Sequence, residues 1–195
     1  MRFMNMYQLE IWLEYHEEDT LGSGAQGTCF KIGNKVYKIF NEFCDEYRYD
    51  DIVYNKDDLL RFSEIKNNTF VWPSDVIVVG DKVVGYITDY IDAKSLYEIN
   101  PLRVSLEKYI KSLDLVLDDI KIISDNGVMT FDVSYNTLYG RNGFNVIDTM
   151  EYTLSDIDCS SLYKINKSRF DCETKLFLID GYFDEFIDNN FFLKV

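Results

Sequence analysis

Gly22, Gly24 and Gly27 recur as G-x-G-x-x-G with Ser23 between the first two, and Lys38 lies on the stretch that follows. Glycines let a backbone approach a phosphate with its N–H groups free to donate, and a lysine facing them supplies the positive charge. A dinucleotide-binding turn has the same spacing, but its glycines open a helix and an acidic residue follows roughly 20 positions on. Here residues 28–32 continue as an alternating strand, Gly33-Asn34 supplies turn chemistry, and residues 36–40 alternate back. The reading is therefore strand, glycine turn, strand, tight turn, and a strand on which Lys38 faces the glycine loop. An ordinary glycine-containing hairpin with an exposed lysine is the alternative that these residues leave open.

Other chemistries are narrowed by what the chain carries. His16 is the only histidine of the 195 residues, which excludes Ser-His-Asp, Cys-His and multi-histidine metal sites. Cys29, Cys44, Cys159 and Cys172 form no C-x-x-C, so reduced thiols in a cytoplasmic protein are expected. A net charge of −14 argues against a nucleic-acid partner and suits a solvated surface or a basic protein partner. No apolar run nears the roughly 18 residues of a membrane span. The opening MRFMNMYQLEIWLEY is broken by Gln8, Glu10 and Glu14, unlike a secretory leader. With 47% hydrophobic residues, including 15 Tyr and 14 Phe, there is ample mass for one domain or two small lobes.

The elements that must position these residues follow in order. Residues 6–18 read as either a short helix or a strand, and 41–54 as an acidic, aromatic connector without a period. Residues 56–65 space Leu59, Phe62 and Ile65 as a helix does, ending at Asn67-Asn68. Residues 70–72, 76–79 and 83–90 read as strands, the last two joined by Gly80-Asp81. Residues 106–124 form a long helix with Leu106, Tyr109, Ile110, Leu113, Leu117 and Ile120 on one face, stopped at Asn126-Gly127. Short apolar runs at 128–131 and 144–147 flank a polar loop, with Arg141-Asn142-Gly143 as a hairpin turn. Beyond Ser155 the pattern is helical but irregular, with Leu176, Phe177, Phe183, Phe186 and Ile187 as packing residues.

In this arrangement the chain resembles the protein kinase-like family, in a minimal, atypical bacterial form, over about residues 20–152. The resemblance implies an α+β fold: an antiparallel-sheet N-lobe with one helix (about 1–91) and a reduced helical C-lobe (about 92–195), forming one domain. By that resemblance Gly22, Ser23, Gly24, Gly27 and Lys38 hold the phosphates of ATP. Asp58, in register with Phe62 and Ile65, stands for the helix glutamate, with Asp57 an adjacent rival. YITDYIDAKSL over 86–96 is similar to the hinge strand, with Thr88 as gatekeeper and the backbone of Asp89 and Ile91 facing adenine.

NGVMTFDVSYNTLYGRNGFNVIDTMEY over 126–152 resembles the family's catalytic loop and the strand that follows it. Asp132 takes the place of the catalytic aspartate, while Asn136 and Asp148 take those of the Mg2+ ligands. The chemistry implied is transfer of the γ-phosphate of ATP to a hydroxyl, foremost in a Ser or Thr of a protein, with a small-molecule hydroxyl as the other acceptor the residues leave open. Asp132 would orient the hydroxyl, and oxygen ligands would hold the metal. The chain departs from the pattern at Thr130 and Phe131, which replace the histidine and arginine. Asn136 comes one residue early, leaving Thr137 at the ungapped position, and Asp148-Thr149-Met150 lacks the glycine of D-F-G. No A-P-E follows. These departures point to the alternative, a pseudokinase that binds nucleotide or scaffolds a protein partner without catalysis.

Overall fold

The computed structural model describes residues 1–41, 54–133 and 135–188, with side chains to 178. The chain is α+β and divides into two compact units: Met1–Glu64 with Trp72–Tyr90, and Ile65–Val71 with Ile91–Val195.

The first unit is a six-stranded sheet. Its strands are β1 (Arg2–Phe3), β2 (Thr20–Ser23), β3 (Gly27–Ile32), β4 (Lys35–Phe40), β5 (Asp75–Val79) and β6 (Lys82–Asp89), in the order β1-β5-β6-β4-β3-β2. The turns Gly33-Asn34 and Gly80-Asp81 join strands paired at Ile32↔Lys35 and Val79↔Lys82, with both glycines at positive φ. The sheet is not wholly antiparallel, because β1 pairs with β5 in parallel. Nor does this unit hold one helix. It carries α1 (Met6–Tyr15) and α2 (Lys56–Leu60). Residues 6–18, open between helix and strand, thus form α1 and a 3-10 turn at Glu17–Asp19. The Asn5 side chain caps α1 by accepting from Gln8 N.

Pleating places paired residues on a common face. Phe30, Tyr37 and Ile87 share one face with Ile39 and Ile77. α1 lays Leu9 into that cluster, and Trp12 meets Phe30 edge-on at 5.4 Å. Lys38 has the opposite parity and pairs with Cys29 and Tyr86, so it projects from the face that α1 leaves uncovered.

α2 is shorter than the helix read over 56–65. The Ser63 hydroxyl and amide both take the Leu60 carbonyl, at 2.7 and 3.0 Å, tightening the chain out of the helix. Leu59 and Phe62 are buried as the stripe predicts. The connector read over 41–54 lies, from 42 to 53, outside the described residues.

The second unit packs α3 (Leu106–Asp125) against α4 (Cys159–Asp188), with strands β7 (Ala93–Ser95), β8 (Val128–Met129), β9 (Thr137–Gly140), β10 (Gly143–Val146) and β11 (Thr153–Leu154). β9 lies between β10 and β7, and β8 pairs with β11. α3 ends at the Asn126 cap, with Gly127 at φ 74°. Its buried face is turned from the one expected: Leu106 and Ile110 are exposed, whereas Tyr109, Ser112, Val116, Asp119, Ile120 and Ile123 are buried. Asp119 is tolerated inside because it accepts from Thr69 Oγ1 at 2.7 Å and Asn68 N at 3.0 Å. Residues 70–72 do not form a strand. Phe70 makes only an isolated parallel bridge to Val146. Leu176 is exposed, Phe177 is buried, and the side chains of Phe183, Phe186 and Ile187 lie outside the described residues. No described helix is long and apolar enough to cross a membrane.

Candidate functional site

The first unit carries the glycine loop and its lysine. Lys38 is 6% exposed, so it is not the exposed lysine of an ordinary hairpin. A buried ammonium requires an acceptor, and Nζ donates to Gln26 Oε1 at 2.9 Å, inside the glycine loop. Asn41, just past β4, donates from Nδ2 to the carbonyls of Gly24 and Ala25, both at 2.9 Å, and from its backbone N to Gln26 O at 3.1 Å. Each planar peptide sets its N–H opposite its C=O, so the N–H groups of Ala25 and Gln26 point away from Asn41. Successive N–H groups turned one way form the kind of concavity that binds anions. The Gly24 N–H is already used, closing the turn to Gly27 O at 2.9 Å, and Ser23 Oγ pairs with Thr28 Oγ1 across the strands.

The glycines divide by role. A Cβ at Gly22 or Gly24 would meet nothing within 4 Å, whereas one at Gly27 would stand 2.4 Å from Ile39 O. Gly85, opposite on β6, is equally constrained, since its Cβ would lie 2.1 Å from the Lys38 carbonyl. Gly85→Ala must therefore push β4 away at Lys38. It is expected to lower unfolding free energy by roughly 1–3 kcal/mol in a denaturant titration, while Gly22→Ala stays within about 0.5 kcal/mol.

The remaining expected residues of this unit sit apart from that contact. Asp58 is exposed on α2, 4.0 Å from Arg61 Nη1. Asp57 is exposed as well, and its backbone N donates to the Asn55 cap. Thr88 is half-buried opposite Val36, and Asp89 forms an exposed ion pair with Lys35 at 2.7 Å. In the second unit, Ile91 O accepts from Ala93 N at 3.0 Å.

The second unit joins Asn136 to Asp132 and ties it to the residue before Asp148. Asn136 Nδ2 donates to Asp132 O at 2.8 Å and reaches Asp132 Oδ2 at 3.4 Å. Asn136 O accepts from Ile147 N at 2.9 Å, the residue before Asp148. The rival Thr137 is fully buried and donates to Val133 O at 3.0 Å, so Asn136 is the residue turned toward Asp132. The strand leading to Asp148 is braced on its far side: Val146 N donates to Thr69 O, Thr149 Oγ1 to Val71 O, and Thr69 to buried Asp119.

Three non-glycine residues stand at positive φ among the described residues: Asp132 (43°), Tyr135 (64°) and Asp148 (57°). Such backbone costs on the order of 1–3 kcal/mol each and persists where surrounding structure enforces it. Burial pushes the Tyr152 phenol well above its ordinary pKa, and the negative charges of Asp132 and Asp148 push it further while Arg169 opposes them. One phenol thus senses both carboxylates. Burial likewise raises Tyr109. Folded protein therefore keeps both protons at a pH where the unfolded chain loses them. Their contribution is fully present below about pH 10 and declines as pH rises beyond it. Alkaline unfolding is expected to set in above pH ~10 and to shift upward in a Tyr152→Phe variant, followed by near-UV circular dichroism.

α4 holds this loop with residues that periodicity alone does not mark. Buried Asn166 accepts from Thr130 N and Oγ1, at 2.9 and 3.0 Å, and donates to Ser124 Oγ and Val128 O. Arg169 donates to Thr130 O and lies over the Phe131 ring, 4.8 Å from its centre. Fully buried Glu173 accepts from Tyr135 N at 3.3 Å and Tyr97 OH at 3.1 Å. The signal available in sequence was polar residues in helical register with Leu162, Phe170 and Phe177.

No protein-family model matches this chain, and no curated protein matches it.

Proposed function

We propose that the chain is an ATP- and Mg2+-dependent phosphotransferase of protein kinase-like fold, acting on a hydroxyl of a protein Ser or Thr. The observation that carries this reading is the contact of Asn136 with Asp132 and with the amide of Ile147, the residue before Asp148, with both aspartates held at positive φ. A turn aspartate needs no such bracing. In the reaction the acceptor oxygen bonds to the γ-phosphorus, the bond from that phosphorus to the β–γ bridging oxygen breaks, and ADP leaves. The Asp132 carboxylate orients the hydroxyl and takes its proton. Lys38 and the turned N–H groups of Ala25 and Gln26 supply positive charge and donors for phosphate oxygens.

The described residues contain no group of three His, Cys, Asp or Glu able to hold a metal. Mg2+ is bound through one or two carboxylates plus substrate phosphates. Asp148 and Asn136 are the residues to hold it, and when bound it would neutralise phosphate charge.

The contact of Lys38 with Gln26 favours a second reading, a binding module without turnover, because a phosphate must share or displace that acceptor. Thermal unfolding with ATP, with and without Mg2+, tests nucleotide binding in either reading. At a hundredfold excess over Kd the stabilisation is about 2.7 kcal/mol. Absence of any shift would remove the phosphotransferase and any nucleotide-binding module, and leave only a protein scaffold.

A further inference from the structure

We propose that the stacked pair Tyr97–Tyr135 is an acceptor-recognition surface that binds a cationic side chain, guanidinium or ammonium, flanking the hydroxyl of a peptide substrate. It rests on the phosphotransferase reading and specifies its substrate. Tyr135 lies between Asp132 and Asn136, is 74% exposed, and is held at φ 64°. Its ring stacks on Tyr97, with centroids 4.8 Å apart and planes 22° from parallel. Beneath the pair, Glu173 is 0% exposed and accepts from both the Tyr97 hydroxyl and the Tyr135 amide.

Three unfavourable choices coincide here. A bulky residue sits in left-handed backbone, a carboxylate is taken wholly out of water, and an aromatic face is left in solvent. The Glu173 contacts account for the buried carboxylate and hold the Tyr135 backbone, but packing does not account for the exposed ring, since Tyr135 is 74% exposed. Together they present one phenol face in the loop three residues after Asp132, stacked on Tyr97 and held at its backbone by Glu173. Such a face carries negative potential, and the Tyr97 hydroxyl, donating to a carboxylate, enriches the stack further. The group it attracts is a cation, and Arg best, because its plane stacks flat. A net charge of −14 draws basic peptides and repels phosphate backbones, which separates this occupant from a stacked nucleobase.

The test uses the full chain and two fluorescein-labelled peptides identical except that one carries Arg beside its Ser and the other citrulline, which keeps the shape and loses the charge. Anisotropy reads binding without catalysis. The Arg peptide is expected to bind about five- to tenfold tighter than the citrulline peptide, within the range of a cation–π contact. Tyr135→Phe should retain that preference. Tyr135→Gly should abolish it, although glycine relieves the backbone and leaves thermal stability and the ATP shift equal or higher. In turnover the loss should appear in KM more than in kcat. Equal affinity for the two peptides, or a preference that survives in Tyr135→Gly, would overturn the proposal. Arg preference with no ATP shift would support the surface and contradict the phosphotransferase reading alone.

Discussion

Asp132→Ala is expected to lower kcat by about 10²- to 10⁴-fold while leaving the ATP-induced thermal shift in place. The carboxylate acts on the acceptor hydroxyl, so its removal leaves nucleotide contacts intact. Asp148→Asn should differ in kind. One oxygen of a metal ligand becomes an amide, so the Mg2+-dependent part of the ATP shift should disappear along with turnover. Asn136 Nδ2 already donates to Asp132 O, so Asp132→Ala keeps that backbone anchor and isolates the side chain. Thermal shift and steady-state turnover, measured on the same preparations, separate the two aspartates.

Lys38→Met is expected to remove most of the ATP shift. It should also lower the stability of the nucleotide-free protein by roughly 1–3 kcal/mol, because Gln26 loses a donor at a site that is 6% exposed. A sequence reading that leaves Lys38 in solvent predicts no such cost, so calorimetry without nucleotide distinguishes the two. Gln26→Ala serves as the control. It keeps the ammonium and removes the competing acceptor, and an ATP shift at least as large as in the parent protein is expected.

Much of the first unit was legible because its signals are local. Period-two alternation and the pairs Gly33-Asn34 and Gly80-Asp81 defined the two hairpins before any tertiary contact was considered. What failed depended on partners distant in sequence. The expected buried face of α3 follows its apolar residues alone, whereas the folded helix also buries Ser112 and Asp119, with Thr69 and Asn68 satisfying Asp119 inside. α4 looked irregular for the same reason: Asn166, Glu173 and Thr174 occupy interior positions that an apolar stripe would fill. β1 is two residues long and pairs in parallel with β5, leaving no periodic trace.

The candidate site divides along the same line. Asp132 and Asn136 lie close in sequence, and Asn136 reaches the strand before Asp148 through one β-hairpin. Gln26 and Asn41 were not singled out, because what they do is set by which groups they face in the folded loop. Asp58 followed from a helical register that α2 sustains only to Leu60, and its carboxylate is exposed near Arg61.

The central claim is that Asp132, Asn136 and Asp148 serve phosphoryl transfer. It is tested most directly by incubating protein shown by mass spectrometry to be unphosphorylated with γ-labelled ATP, Mg2+ and the Arg-flanked Ser peptide. The account predicts label on the peptide serine, dependent on Mg2+ and lost in Asp132→Ala. An unlabelled peptide, together with an ATP shift that is the same with and without Mg2+, would contradict it.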